Sequence, residues 1–248
     1  NRFEISPDLQ PTLGDWSNYP MTVARRLARN FPPALRGASM AFASDLPAAS
    51  GMSSSSAMMI ATYLSLAAIN ELNRREEYRR EIDSPQSLAG YLATVENGQS
   101  FGTLTGDKGV GTFGGSEDHT AILSCRPGRL SQYSFCPVRF ERFVNVPKGY
   151  VFAIAFSGVV AAKTGEALEK YNRASGLAGR AAQAWREATG RDDPHLAAVF
   201  GSSADAVELM RKVLSKATAG EGDFTPEQLW RRFEHYFRES EEIIPAAG

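Results

Sequence analysis

The chain has 248 residues, of which 43% are apolar and 22% charged, and its formal net charge is −1. This is an ordinary globular composition, long enough for one large domain or two modest ones, and its near-neutral charge disfavours nucleic-acid and anionic-membrane partners. The two cysteines, Cys125 and Cys136, make neither a disulfide scaffold nor a zinc site. We therefore expect a cytoplasmic protein without nucleic-acid or membrane partners, whose oligomeric state stays open.

The first predicted elements lead to a loop of small residues. Residues 16–27 have helical spacing of apolar side chains, Phe31-Pro-Pro33 ends that helix, and residues 37–43 alternate like a half-buried strand. A glycine- and serine-rich loop follows and opens into a helix over about 53–73.

A strand, a small-residue loop and a helix in this order collect backbone N–H groups at the positive end of a helix, where a phosphate can bind. The alternative is a capped turn before a core helix, because serine is a preferred N-cap residue. One cap needs one serine, whereas this loop has Gly51 and four consecutive serines at 53–56. The pattern favours a phosphate site.

In the middle of the chain, the sequence predicts a helix, a long loop and a hairpin. Ser84 and Pro85 cap a helix that runs to Glu96, and the stretch Gly98–Gly115 is dense enough in glycine to be a loop. Residues 120–124 and 132–135 are predicted to be paired strands joined by a turn at 126–128.

The last hundred residues begin with a predicted domain transition near 145–149 and an apolar strand, residues 150–156, covered on both faces. Three helices are predicted beyond it. The segment 157–164 is not a Walker A loop, because the glycine before Lys163 is absent and the spacing is one residue short.

A second candidate for chemistry is Asp118, which follows Gly114 and Gly115 at the end of the glycine-rich stretch. Glycines beside an acid let the backbone approach a ligand closely while the carboxylate faces it. The alternative is an exposed acidic turn, with the neighbouring His119 making a local hydrogen bond. No pattern of metal-ligating triads is visible.

Residues 47–55 resemble the second motif of the GHMP small-molecule kinases, which include galactokinase, homoserine kinase, mevalonate kinase and phosphomevalonate kinase. The galactokinase branch fits best, because its other motifs have counterparts in the right order. Those counterparts are Trp16-Ser-Asn18-Tyr19, Ser44-Asp45-Leu-Pro47, Gly115-Ser-Glu-Asp118-His119, Tyr171-Asn172-Arg173 and Arg232-Phe-Glu-His235.

The resemblance implies ATP and Mg²⁺ as cofactors and a small-molecule sugar as substrate. It places Gly51 and the serines Ser53, Ser54, Ser55 and Ser56 at the β- and γ-phosphates. Ser55 and Glu96 would hold Mg²⁺. Asp118 would orient the sugar hydroxyl and accept its proton, or stabilise charge during transfer. Gly115 and Tyr171 would contact the sugar.

The chain also departs from the family pattern. His119 stands where galactokinases have glutamine, and the segment between Glu96 and Asp118 is longer than theirs. Their first motif, a sugar-gripping Gly-Glu-His-Thr-Asp segment, and their closing glycine-rich motif have no counterpart. We therefore expect a sequence that is incomplete at both ends and, by itself, weak or inactive in catalysis.

The resemblance implies an α+β, two-lobed GHMP kinase-like fold whose N-terminal lobe is similar to ribosomal protein S5 domain 2. Residues 1–145 would form the ATP-phosphate lobe and residues 146–248 the second lobe, with substrate in the cleft between. The implied function is ATP-dependent phosphorylation of a monosaccharide hydroxyl, at the anomeric C1. The alternatives are a GHMP kinase for a non-sugar alcohol and a non-catalytic sugar or ATP sensor.

Overall fold

A computed structural model describes residues 1–12, 15–46, 51–134, 137–155, 157–159, 166–217 and 224–247. Helices and one small antiparallel sheet make the described part of the chain an α+β protein, as predicted. The chain divides into two compact units, residues 1–168 and 169–248. The boundary predicted after residue 145 concerns functional lobes, and it stays a prediction.

The described residues of the first unit contain five α-helices, a short 3-10 helix (Leu72–Arg74) and both strands. In chain order the α-helices and strands are α1 (Asn18–Asn30), α2 (Ser54–Ile69), α3 (Glu76–Glu81), α4 (Pro85–Asn97), α5 (Glu117–Ser124), β1 (Leu130–Ser134) and β2 (Arg139–Val144). The described part of the second unit is helical. It contains nearly all of α6 (Glu166–Thr189), then α7 (Leu196–Phe200), α8 (Ala206–Ser215), α9 (Pro226–Phe237), a π-helical turn (Arg238–Ile243) and α10 (Ile244–Ala247).

The core of the first unit is built from the apolar faces of α1, α2 and α4. All three were predicted: α1 from its spacing of apolar residues, α2 as the helix that follows the serine-rich loop, and α4 from its cap. The predicted cap is present, because the Ser84 hydroxyl accepts from the Ser87 amide in a capping box. The fully buried side chains of this core include Leu27, Phe31, Met59, Tyr63, Leu66, Tyr91 and Leu92. The core therefore fixes the C-terminal turn of α4, where Glu96 lies.

The glycine-rich segment after α4 is a loop, as predicted, and ion pairs and hydrogen bonds fix its position. Asp107 lies against two buried arginines of α1, with its carboxylate 2.8 Å from Arg25 Nε and 3.4 Å from Arg26 Nη1. The Asp107 amide also donates to the Gly98 carbonyl at 2.8 Å. The loop is thereby anchored to both α1 and the end of α4.

The sheet differs from the prediction in its pairing. The strand predicted at 132–135 is present as β1, but its antiparallel partner is β2, with Leu130 opposite Val144. Residues 120–124, predicted as the partner, belong to helix α5. The prediction of a strand there was wrong because the acids Glu117 and Asp118 in the preceding turn favour a helix N-terminus.

Two other predicted strands are not formed among the described residues. Residues 37–43 make no strand pairing, and neither do residues 150–155, where Tyr150, Val151 and Ile154 are 75%, 90% and 76% exposed. Alternation and apolar runs describe a strand only if a neighbouring strand supplies hydrogen bonds. No described segment does so here.

The second unit has its own helical core. Trp185 of α6 is completely buried, and its indole N–H donates to the Asp193 carboxylate at 2.8 Å. Met210 and Leu214 of α8 and Phe233 of α9 complete the core. The three predicted helices of this region are confirmed, whereas the short α7 was not predicted. None of the described helices is long and apolar enough to cross a bilayer.

Candidate phosphate and sugar site

The N-terminal tip of α2 is open to solvent. Gly51 and Met52 are exposed and Ser53, Ser54 and Ser55 are half-buried, so no side chain of the described residues plugs the tip. Ser53 occupies the N-cap position with left-handed dihedrals, φ 54° and ψ 34°, and its side chain makes no cap hydrogen bond.

This geometry bears on the choice between a capped turn and a phosphate site. A capped turn requires the N-cap side chain to accept from an amide of the first turn, as Ser84 and Thr225 do elsewhere in the chain. Ser53 does not. A non-glycine residue in the left-handed region also costs about 1–3 kcal/mol, and such strain clusters at functional sites. Pro47 to Ser50, the first part of the motif, lie outside the described residues, as does Lys163.

Glu96, in the last turn of α4, faces this tip. It is only 7% exposed, and its carboxylate accepts two hydroxyl hydrogen bonds. Ser56 of α2 donates to Oε2 at 3.3 Å, and Thr112 of the glycine-rich loop donates to Oε1 at 3.3 Å. The structure thus brings together two of the predicted site residues, Ser56 and Glu96.

The third element at this carboxylate is α5. His119 is almost completely buried, and its Nε2 lies 3.5 Å from Glu96 Oε2. Asp118, the residue before it, is half-buried in the first turn of α5, where the helix dipole favours its negative charge. Gly115 is exposed just before that turn. The segment that carries Asp118 is therefore attached to the same carboxylate as the α2 tip.

Tyr19, near the start of α1, is a member of this site that was not predicted to act in it. Its hydroxyl lies near Ser55, and burial, together with the nearby Glu96 carboxylate, raises the pKa of Tyr19. Thr112 was also missed. Thr112 lies between Gly111 and Phe113, and no sequence pattern distinguishes it. Tyr19 is half-buried and looks like one more member of the apolar stripe of α1.

Tyr171 lies on α6, in the second unit, and its side chain is 40% exposed. It is therefore accessible to a ligand. Its predicted contact with a sugar stays a prediction.

The donor set around Glu96 fits Mg²⁺. One carboxylate and the serine hydroxyls of α2 are hard oxygen donors, which Mg²⁺ prefers. Among the described residues no three histidine, cysteine or acidic side chains form a metal cluster. Mg²⁺ in phosphoryl-transfer enzymes is commonly held by one or two carboxylates together with substrate phosphates, so a larger protein cluster is not required.

Part of the chain matches a known protein family. Residues 18–103 match the family model of the GHMP kinases N terminal domain. That segment includes α1, α2 and α4, the elements that carry Tyr19, the serines and Glu96. The resemblance to the GHMP kinases is thereby confirmed for residues 18–103, which match the N-terminal domain of that family.

Within that superfamily, the chain resembles the galactokinase branch. It is 26% identical over 253 residues to a galactokinase of Chloroflexus aggregans, covering 100% of this chain and 53% of that protein. It is 31% identical over 162 residues to a galactokinase of Actinobacillus pleuropneumoniae, covering 64% of this chain and 36% of the relative. The chain thus spans about half the length of the first relative and less of the second. No solved structure matches it significantly.

Proposed function

We propose that the protein transfers the γ-phosphate of ATP to a monosaccharide hydroxyl, at the anomeric C1, in a galactokinase-like manner. The observation that carries the proposal is the arrangement around Glu96. An uncapped helix tip with four serines meets a buried carboxylate, and that carboxylate also contacts the residue next to Asp118. The matches to galactokinases support the same reaction class.

In this proposal Gly51 and Ser53 to Ser56 hold the β- and γ-phosphates with backbone N–H groups and hydroxyls. Ser55 and Glu96 hold Mg²⁺, which when bound neutralises charge on the phosphates. Residues 1–145 form the phosphate-binding lobe, and residues 146–248 form the second lobe. Phosphoryl transfer asks little covalent chemistry of a protein, so positioning and charge neutralisation suffice.

Asp118 is the proposed catalytic residue, and Gly115 and Tyr171 are proposed to contact the sugar. A carboxylate directed at the acceptor hydroxyl can orient it and take its proton, or can stabilise charge as the phosphoryl group moves. Asp118 is half-buried in the first turn of α5, so its carboxylate is within reach of a ligand that enters from solvent.

The test is to replace Asp118 by alanine in the intact protein and to measure ADP release with and without sugar. Asp118→Ala should lower sugar-stimulated ADP release by about 10²–10⁴-fold, the usual contribution of a general base, and should leave nucleotide binding unchanged. Glu117→Ala is the matched control, because Glu117 is an exposed acid in the same helical turn. Full turnover by Asp118→Ala would refute the role of Asp118.

The same assay separates the alternatives. A panel of acceptors should include hexoses, mevalonate and homoserine. Turnover with mevalonate or homoserine and none with a hexose would assign the protein to a kinase of non-sugar alcohols. Binding of both ATP and a sugar without turnover on any acceptor would assign it to the sensor class.

A further inference from the structure

Thr112 occupies a position in the glycine-rich loop that the proposed roles do not explain. Its side chain is 4% exposed, and its hydroxyl donates to Glu96 Oε1, while Ser56 donates to the other carboxylate oxygen. Each oxygen of Glu96 therefore receives one hydroxyl hydrogen bond, and the two donors come from different elements. Two such bonds fix the plane of a carboxylate and leave a further lone pair on Oε1, while His119 Nε2 lies 3.5 Å from Oε2.

The backbone around Thr112 is anchored on both sides. On one side, the Val110 amide donates to the Glu96 carbonyl at 2.8 Å and the Val110 carbonyl accepts from the buried Asn18 side chain at 3.0 Å. On the other side, the Asn97 side chain donates to the Gly114 carbonyl at 2.9 Å. Thr112 is therefore held against the last turn of α4 by bonds that do not involve its own side chain.

The glycines of this stretch make that approach possible. Gly109 has φ +59°, and a Cβ at this position would lie 2.3 Å from the Glu96 carbonyl oxygen. A side chain there would push the loop off α4. The glycine-rich segment, the part that lengthens the chain between Glu96 and Asp118, is thus shaped to lie against the turn that carries Glu96.

We infer that Thr112 is a positioning residue: its hydrogen bond to Glu96 sets the orientation in which that carboxylate meets a divalent cation at the α2 tip. This inference rests on the proposed function. Groups that orient a metal ligand commonly contribute about 10–100-fold to metal affinity, because a freely rotating ligand must be ordered when the ion binds.

The experiment measures binding of Mn²⁺, as a spectroscopic probe for Mg²⁺, by electron paramagnetic resonance of the intact protein with a non-hydrolysable ATP analogue. Thr112→Val keeps the shape of the side chain and removes the hydroxyl. We expect it to weaken Mn²⁺ binding by about 10–100-fold, and Thr112→Ser, which restores the hydroxyl, to recover most of the affinity.

Thr103→Val is the matched control. Thr103 lies in the same loop and donates to a different glutamate, Glu81, at 2.6 Å, so this variant removes a threonine–glutamate hydrogen bond away from the site. It should bind Mn²⁺ as the wild type does. A merely structural role for Thr112 would make Thr112→Val and Thr103→Val alike in Mn²⁺ affinity.

The outcomes separate this inference from the proposed function. If the wild type binds Mn²⁺ with the analogue and Glu96→Gln loses that binding, but Thr112→Val binds normally, the positioning role is overturned and the proposed function stands. Failure of Thr112→Ser to recover the affinity would also overturn it. If the wild type itself binds no Mn²⁺ with the analogue, both the proposed function and the inference fail.

Discussion

Buried charges in the first unit are stabilised in two different ways. Asp107 is paired with the guanidinium groups of Arg25 and Arg26, so its charge is neutralised within the protein. Glu96 instead accepts from the hydroxyls of Ser56 and Thr112, which solvate a carboxylate without cancelling its charge. The first arrangement suits a purely structural role. The second leaves Glu96 without an arginine or lysine partner among the described residues, with His119 Nε2 3.5 Å from Oε2.

The cluster of Asp107 with Arg25 and Arg26 allows a prediction for Arg26. Its side chain is completely buried and donates to Asn30 and Asp107, and also to Thr94 and the Gln99 carbonyl. Arg26→Met leaves these acceptors buried with fewer donors, so the free energy of unfolding should fall by about 3–5 kcal/mol, the usual cost of breaking a buried pair. Urea unfolding of the two proteins gives this difference.

Arg29→Met is the control for that prediction. Arg29 lies one turn further along α1, is exposed, and donates to the Pro7 carbonyl at 3.1 Å. Its replacement should change the unfolding free energy by no more than about 0.5 kcal/mol, as for most surface substitutions. Equal losses for the two variants would show that burial of the arginine is not what stabilises the loop.

Among the elements, the longer helices could be predicted from the sequence, whereas the short helices α5 and α7 and most strands could not. The amphipathic spacing of α1 and the Ser84 cap of α4 are local signals, carried by residues within one helix. The segments 37–43 and 150–155 have equally local patterns, but a strand also depends on a partner elsewhere in the chain. A pattern within seven residues contains no information about that partner.

The contact between the glycine-rich loop and the end of α4 allows a prediction for Gly98, which ends that helix with φ +87°. A Cβ at this position would lie 2.6 Å from the Asp107 carbonyl oxygen, which is backbone and cannot rotate away. Gly98→Ala should therefore cost about 1–2 kcal/mol for the left-handed conformation and about 1–3 kcal/mol more for the overlap. Thermal or urea unfolding measures the sum.

Gly128→Ala separates the two contributions. Gly128 also has a positive φ, +72°, but nothing lies within 4 Å of a Cβ built there. It should show the conformational cost alone, about 1–2 kcal/mol. If Gly98→Ala is no more destabilising than Gly128→Ala, the loop does not press against the end of α4 as described.

For the whole molecule, the sequence predicted two residues that the fold brings together, but it did not predict the contacts around them. Ser56 and Glu96 were both predicted as site residues, and they lie in contact across two elements. Tyr19 and Thr112 reach the same site through contacts between residues distant in the chain. Such contacts follow from the packing of α1, α2 and α4, which no single motif reveals.

Most of the evidence for the proposed function comes from the first unit. The first unit contains the matched GHMP kinase N-terminal segment, the α2 tip and Asp118. The second unit contributes one proposed residue, Tyr171. The assignment of a sugar as the acceptor therefore depends on the galactokinase resemblance together with Asp118, and a direct identification of the product is needed to test it.

The most direct measurement is phosphorus-31 NMR of the intact protein incubated with ATP, Mg²⁺ and a panel of hexoses. The proposed function predicts sugar-dependent loss of the γ-phosphate signal and a new phosphomonoester resonance coupled to the anomeric proton of one hexose. Nucleotide binding without a new phosphomonoester, for any hexose or other alcohol tested, would contradict the claim that this site transfers phosphate.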